Sequence, residues 1–343
     1  MTIPTQFQAF VVHGAKEAEG LEIQSEISSL PIGSLDGSTD GEVLVQIEFS
    51  AVNYKDALAA QGNPGVARTF PLIPGIDAVG SVVESASDEF KTGEKVFIAH
   101  AKFGTAAHGG WAEFARVPAD WVYKIPSDSS GDKFSSKESA IWGTAGFTAA
   151  QSVEQVVDHA IKPGDGPVVV TGATGGVGIF AVKLLAKLGY EVVASTGKLD
   201  KTDWLKQNGA SDVISRSELE ETSSAPLLKG RWAAAIDTVG GNTLSNVLRT
   251  CKPHACVTAC GLVGGSQLET TVFPFILRGI TLCGIDSANI SRDTRIALWA
   301  RIATQWRLEN LEDLAEEVSL AELPSVVTRI LQGQVFGRTL LAH

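Results

Sequence analysis

The run Val168-Val169-Val170-Thr171-Gly172-Ala173-Thr174-Gly175-Gly176-Val177-Gly178 carries the strongest chemical signal in the chain. Its β-branched start predicts a buried strand, and the glycines that follow let backbone N–H groups come close to an anion. The next apolar stretch, residues 179–188, predicts a helix whose positive N-terminal end faces the same point. Such a junction suits a dinucleotide pyrophosphate, with Thr174, Gly175, Gly176 and Val177 nearest to it; a tight turn that binds nothing is the alternative. About 20 residues further on, an acid would take the ribose 2′-hydroxyl of NAD. Here the strand ends Ala194-Ser195-Thr196-Gly197-Lys198, with no acid. Thr196, Gly197 and Lys198 offer a hydroxyl, N–H groups and a cation, and Arg216 follows the next predicted strand as a second cation. This points to NADPH, unless Lys198 is only a solvated turn residue.

These residues need elements to hold them. Short β-rich runs divided by turn signals, such as 43–49, 78–84 and 95–99, predict an irregular β domain over residues 1–139. From 140 to 289, short strands at 167–171, 191–195, 213–214, 233–237, 255–260 and 280–284 alternate with helical stretches. That alternation predicts a parallel sheet covered on both faces, an α/β dinucleotide fold of about six strands. Residues 290–343 hold a helix at 292–306, a short strand at 318–319, a helix at 323–331 and a terminal segment at 337–340. This tail is too small to bury a core alone, so it is expected to pack back on the first domain. The polar stretch 127–137 reads as a loop.

Composition narrows the partners. The 343 residues carry a formal charge of −11, which disfavours a nucleic-acid or anionic-membrane surface. The longest uncharged run, 166–182, holds five glycines and a proline, so no membrane span is expected. No basic stretch precedes an apolar one at the start and no arginine precedes Arg68, which points to a cytoplasmic protein. Cys251, Cys256, Cys260 and Cys283 lack the compact spacing of zinc pairs, with only His254 among them, so no metal site is expected.

Gly75-Ile76-Asp77-Ala78-Val79-Gly80-Ser81-Val82 has the rhythm of the medium-chain dehydrogenase signature, whose zinc members begin it Gly-His-Glu. Ile76 stands at the ligand histidine and cannot coordinate zinc, and no cysteine precedes Cys251, so the Cys-His-Cys catalytic set cannot be assembled. Further marks are Asn53-Tyr54-Lys55-Asp56-Ala57-Leu58, Pro71-Leu72-Ile73-Pro74, Gly143-Thr144-Ala145-Gly146-Phe147-Thr148-Ala149 and Ile236-Asp237-Thr238-Val239-Gly240-Gly241. Others are Pro274-Phe275-Ile276-Leu277-Arg278-Gly279, Gly284-Ile285-Asp286-Ser287 and Gly337-Arg338-Thr339. Over nearly its whole length the sequence resembles the zinc-independent, quinone oxidoreductase-like branch of the medium-chain dehydrogenases, and within it the NADPH-dependent acryloyl-CoA reductase family. The resemblance implies a split GroES-like catalytic domain around a Rossmann domain, and a homodimer; an edge strand of the Rossmann sheet, with residues 272–277 as part of the contact, is the expected interface. It places Tyr54, Thr174, Gly175, Gly176, Val177, Thr196, Gly197, Lys198, Arg216, Leu262, Ile276, Ser287 and Arg338 around NADPH. An arginine is usual where Lys198 stands, and lysine lacks its planar fork for phosphate.

The implied reaction sends hydride to the β carbon of acryloyl-CoA or a related short 2-enoyl-CoA, leaving an enolate at the thioester oxygen. Asn53, at about the place of the missing cysteine ligand, is the first candidate donor to that oxygen. Tyr54 follows as a cofactor contact or proton donor, and Asp56 as an orienter or proton relay. Arg338 is a candidate for cofactor phosphate or substrate carbonyl. Structural roles fit as well: Asn53 capping a helix from Tyr54, Asp56 serving its first turn, Tyr54 packing. Asp77 is expected to fix local backbone, His100 and His108 to be structural, and Trp111, Trp142 and Phe147 to lie in the core. A quinone or enone substrate and a non-catalytic NADPH-binding protein remain the alternatives.

Overall fold

The computed structural model describes residues 3–17, 20–35, 42–127, 130–131, 133–220 and 223–343; within the expected 127–137 loop, residues 128, 129 and 132 lie outside the described ones. The chain forms two units, one of residues 1–144, 288–305 and 309–343, the other of 145–287 and 306–308.

In the first unit the long strand Glu42–Val52 is the hub. It pairs antiparallel with Ala78–Ser85, with Phe114–Pro118 and with the C-terminal strand Arg338–Ala342. The main path of this seven-stranded sheet is Ala315–Val318, Arg338–Ala342, Glu42–Val52, Ala78–Ser85, Lys95–Ile98 and Val122–Lys124, with Phe114–Pro118 joined to Glu42–Val52 off it. Strand 338–342 therefore delivers Arg338 beside the end of strand 42–52, where Thr339 pairs with Val52 and Asn53 follows. A separate hairpin, Gln6–Glu17 with Gly20–Pro31, adds Phe7 and Phe10 to a core with Leu44, Trp111, Val326 and Leu341. Phe10 meets the Trp111 ring edge-on at 5.4 Å, a favoured aromatic geometry.

The second unit is a six-stranded parallel sheet. In space the strands run Asp212–Ser215, Val192–Thr196, Val168–Val170, Trp232–Asp237, Cys251–Ala259 and Thr281–Gly284. That is the doubly wound order 3-2-1-4-5-6 of dinucleotide-binding sheets. Val168, Val169 and Val170 are wholly buried because helices cover both faces of the first strand. Val169, Trp232, Val247, Leu248 and Val257 form the core on one face.

Three expected elements shift. The helix after the glycine turn spans Gly176–Lys187, starting three residues before the apolar pattern because Gly175 is its N-cap. The helix expected to reach 306 is Arg292–Ala303, and Trp306 is buried. The strand expected at 255–260 is Cys251–Ala259 and passes through His254, whose φ of 64° is left-handed. The helical stretch Ser136–Asp158 is broken at Gly143, at φ 45° and ψ −158°.

Candidate active site

In the second unit, the chain leaves Val170 through Gly172 at φ 59°, a conformation that favours glycine. A Cβ on Gly178 would stand 2.4 Å from Gly172 O, so the helix can seat against the turn only through glycine there. The first N–H groups of helix Gly176–Lys187 have no intrahelical acceptors and are available to an anion. Beneath the turn, buried Asp237 accepts Thr171 Oγ1 at 2.7 Å and Gly240 N at 2.7 Å, and burial pushes its carboxyl pKa up.

At the end of the neighbouring strand, Thr196 Oγ1 lies 3.2 Å from Thr174 Oγ1 and accepts Lys198 N–H at 3.0 Å, tying the two expected nucleotide loops together. The Arg216 guanidinium folds over Gly197, where a Cβ would meet Nη2 at 3.0 Å. Neither Lys198 nor Arg216 makes an ion pair among the described residues. Burial, with Arg216 adding its charge, pulls the Lys198 ammonium pKa down. Two unpaired cations repelling each other around a glycine cradle fit the 2′-phosphate of NADPH, whose charge would relieve that repulsion. An open groove of about 460 Å³ at the ends of strands 251–259 and 281–284 is lined by Cys260, Leu262, Ile285 and Asp286. Ligands of such sheets bind outside those strand ends. Ser287 Oγ accepts Thr148 Oγ1 at 2.8 Å, while Ile276 projects from helix Phe273–Arg278 and is exposed.

The first unit gathers Asn53, Asp56, Asp77 and Arg338. Asn53 is the N-cap of helix Tyr54–Ala60, and its N–H donates to Asp56 Oδ2 at 2.7 Å. Ile76, at the position of the missing zinc ligand, donates its N–H to Asp56 Oδ1 at 2.8 Å. The Asn53 amide nitrogen donates to Asp77 Oδ2 at 2.9 Å, Ala51 O at 3.1 Å and Asp56 Oδ2 at 3.2 Å. Its oxygen accepts Arg338 Nη1 at 3.3 Å, and Arg338 Nε donates to Ile141 O at 3.0 Å. Among the described residues the buried Arg338 Nη2 has no hydrogen-bond acceptor, with Asp77 Oδ2 at 3.9 Å. Asp77 in turn accepts Thr144 N at 2.9 and 3.0 Å and Thr144 Oγ1 at 2.6 Å, capping the helical stretch that resumes after Gly143. A Cβ on Gly143 would lie 2.7 Å from Asp77 Oδ2, so the break in the helix makes room for this carboxylate.

The cluster holds two carboxyl groups and one guanidinium. Burial, with a smaller contribution from Asp77, raises the Asp56 pKa to about 7. Asp56 therefore changes charge near neutrality. Tyr54 is 39% exposed, and its hydroxyl makes no hydrogen bond among the described residues.

Residues 39–127 match the alcohol dehydrogenase GroES-like domain family, and residues 176–304 match the zinc-binding dehydrogenase family. An acrylyl-CoA reductase of Ruegeria pomeroyi is 41% identical over 335 residues, 98% of each chain. A putative quinone oxidoreductase of Bacillus subtilis is 40% identical over 338 residues, covering 98% of this chain and 99% of its own. A Salmonella enterica oxidoreductase solved in complex with NADP superimposes with a TM-score of 0.90 at 41% identity, over 98% of this chain and 99% of its own. The Bacillus subtilis protein solved with NAD bound gives 0.91 at 40% identity, over 99% and 100%. The chain belongs to the zinc-independent, quinone oxidoreductase-like medium-chain dehydrogenases. Within this family its two units are the GroES-like and the Rossmann domain.

The other expected residues take structural places. His100 stacks on Trp121 at 4.1 Å, and His108 Nδ1 accepts Ile73 N–H at 3.2 Å. Trp111, Trp142 and Phe147 are fully buried. Gly143 and Thr144 are not among the expected site residues, yet both belong to the polar cluster. Their signals in the sequence were a family mark that assigns them no role and a glycine inside an apolar helical pattern, which marks a place where another group comes close.

Proposed function

We propose that this chain is an NADPH-dependent reductase of the activated C=C bond of acryloyl-CoA or a related short 2-enoyl-CoA, working without a catalytic metal. The observation that carries the substrate class is the full-length similarity to acrylyl-CoA reductases, 41% identical over 98% of the chain in one case. NADPH supplies hydride to the β carbon. The chain's task is then to align the enoyl group, stabilise the oxyanion on the thioester and deliver a proton to the α carbon.

Thr174 to Val177 and the first turn of helix Gly176–Lys187 hold the pyrophosphate; Thr196, Gly197, Lys198 and Arg216 hold the 2′-phosphate. Leu262, Ile276 and Ser287 complete the cofactor contacts, with Tyr54 and Arg338 contributed by the GroES-like unit. Tyr54 carries the free hydroxyl and is the donor to the substrate. Asn53 and Asp56 fix the helix start that presents it, since their amide and carboxyl groups are committed to the internal network. Asp56, titrating near neutrality, is the proton reserve of that network. Lys198 in place of arginine gives a weaker preference for NADPH over NADH.

A homodimer through residues 272–277 fits the exposure of Val272, Ile276 and Leu277, at 63%, 67% and 63%, beside edge strand Thr281–Gly284. We place the protein in the cytoplasm, in keeping with its four free cysteines. Among the described residues no helix is long and apolar enough to cross a membrane.

A quinone or enone substrate is the second reading, favoured by the 40% identity to a putative quinone oxidoreductase. The deciding experiment follows NADPH consumption with acryloyl-CoA, free acrylate and a quinone, with and without a chelator. Chelator-insensitive turnover of acryloyl-CoA alone supports the thioester reading. Faster quinone turnover replaces it with the second, and cofactor binding without turnover on any activated alkene makes the chain a non-catalytic binding protein.

A further inference from the structure

Two thiols and an imidazole meet on the Rossmann unit, outside every residue assigned to cofactor. Cys256 lies on strand Cys251–Ala259 and Cys283 on the adjacent parallel strand Thr281–Gly284. The register sets Cys256 opposite Thr281 and Thr258 opposite Cys283, so the cysteines are diagonal neighbours on one sheet face. His159, the residue after helical stretch Ser136–Asp158, brings Nε2 to 4.0 Å from Cys283 Sγ. All three ligand atoms lie within 4.8 Å of one another. Zinc bonds of about 2.3 Å to sulfur and 2.0–2.1 Å to nitrogen would place tetrahedral ligands roughly 3.5–3.8 Å apart, so a contraction of about 1 Å or less closes the set.

The imidazole is already oriented. His159 Nδ1 lies 2.8 Å from Gln155 O, and a carbonyl can only accept, so Nδ1 carries the proton and Nε2 presents its lone pair to the thiols. The same carbonyl accepts from Cys256 Sγ at 3.7 Å. Burial is graded, with Cys256 inside, Cys283 partly covered and His159 exposed, which leaves the fourth tetrahedral position open on the solvent side. Linear spacing hides this set, because the histidine comes from a distant helix end while His254 lies against Gly279.

We propose that His159, Cys256 and Cys283 form a binding site for a thiophilic divalent cation of the zinc type, with water as fourth ligand. Binding releases the two thiol protons as both sulfurs become thiolate ligands. The ion pins the end of the helical stretch to the last two strands of the sheet. It belongs to a different unit from Ile76 and takes no part in hydride transfer.

The test titrates the full-length protein, reduced and desalted under nitrogen, with cobalt(II) and then zinc(II). We expect one cobalt per chain with a thiolate charge-transfer band and intense tetrahedral visible bands, all of which zinc bleaches as it displaces the cobalt, since zinc is d10. Cys283→Ser should cut the thiolate band per bound cobalt to about half and weaken binding, since only Cys256 is left as a sulfur ligand. His159→Ala, an exposed change that leaves the fold intact, should weaken binding roughly tenfold or more. Absence of the band while thiol titration shows both cysteines reduced overturns the proposal, as does a band that survives in Cys256→Ser/Cys283→Ser. A Cys256–Cys283 disulfide that takes no cobalt after reduction overturns it in favour of a redox pair.

Discussion

Removing either cation from the turn after strand Val192–Thr196 should change which nicotinamide cofactor binds, while leaving the fold alone. A 2′-phosphate carries close to two negative charges, and a cation about 4 Å away gains roughly 4 kcal/mol per unit charge at an effective dielectric of 20. Partial desolvation takes back much of this, leaving the ~1.5–3 kcal/mol typical of a charged hydrogen bond, or about 10- to 150-fold in Kd. Arg216 is exposed, so Arg216→Ala should fall at the low end, near tenfold. Lys198 is half-buried, so Lys198→Ala should cost more. NADH has no phosphate at that position, and its affinity should stay within about twofold. Lys198→Arg should sharpen the NADPH preference by restoring a planar fork. Titrating tryptophan fluorescence with each cofactor, at low and high salt, gives the NADPH-to-NADH affinity ratio, which is the deciding quantity. Equal weakening of both cofactors by either alanine variant would refute the assignment of these cations to the 2′-phosphate.

Asp56 predicts an unusual pH dependence. Its folded pKa of about 7 lies above the ~3.9 of an unfolded aspartate, so between these values the folded state holds the extra proton. Stability should therefore fall as pH rises from about 4 to 7, by up to roughly 4 kcal/mol from this group alone. Urea unfolding of parent and Asp56→Asn across that window checks it, and an identical pH slope in both removes Asp56 as the cause. Gly143→Ala should lower stability by about 3 kcal/mol, because φ is 45° and the new methyl would sit 2.7 Å from Asp77 Oδ2; a melting temperature equal to the parent's would contradict this packing. Asn53→Ala leaves Arg338 Nη1 without its acceptor and takes the amide donor from Asp77 Oδ2, which keeps only its bonds from Thr144, and should cut turnover roughly ten- to hundredfold while NADPH affinity holds within about twofold. Parent-like turnover would remove Asn53 from the site.

The nucleotide half was legible because it is local. Strand, glycine turn and helix lie within one continuous stretch, and the strand order follows from the repeated strand–helix pattern. Even there the helix start was misplaced, since glycines look like loop in a hydrophobic pattern although they form the first turn. The catalytic half was less legible because its members are joined only by the sheet. Arg338 reaches Asn53 through the pairing of strand 338–342 with strand 42–52, a contact that no local spacing encodes. Asn53 reads as a free amide in the sequence, whereas Asp77 and Asp56 occupy its donors.

This network shows how a medium-chain dehydrogenase can keep its signature loop after losing the zinc-ligand histidine. With Ile76 in that position, the loop still needs something to hold it, and the Ile76 N–H supplies a fixed donor to Asp56. The adjacent Asp77 bridges to Thr144, to Asn53 and toward Arg338. Two buried carboxylates facing one guanidinium would leave an uncompensated charge, which costs several kcal/mol in a low-dielectric interior. A proton on Asp56 removes it. The same balance explains why Arg338 stays buried despite the cost of desolvating it, since removing it would leave both acids facing each other. With its pKa raised by burial to about 7, Asp56 sets this balance through a proton that it can take up or give away near neutrality, where a metal ion would hold a fixed charge.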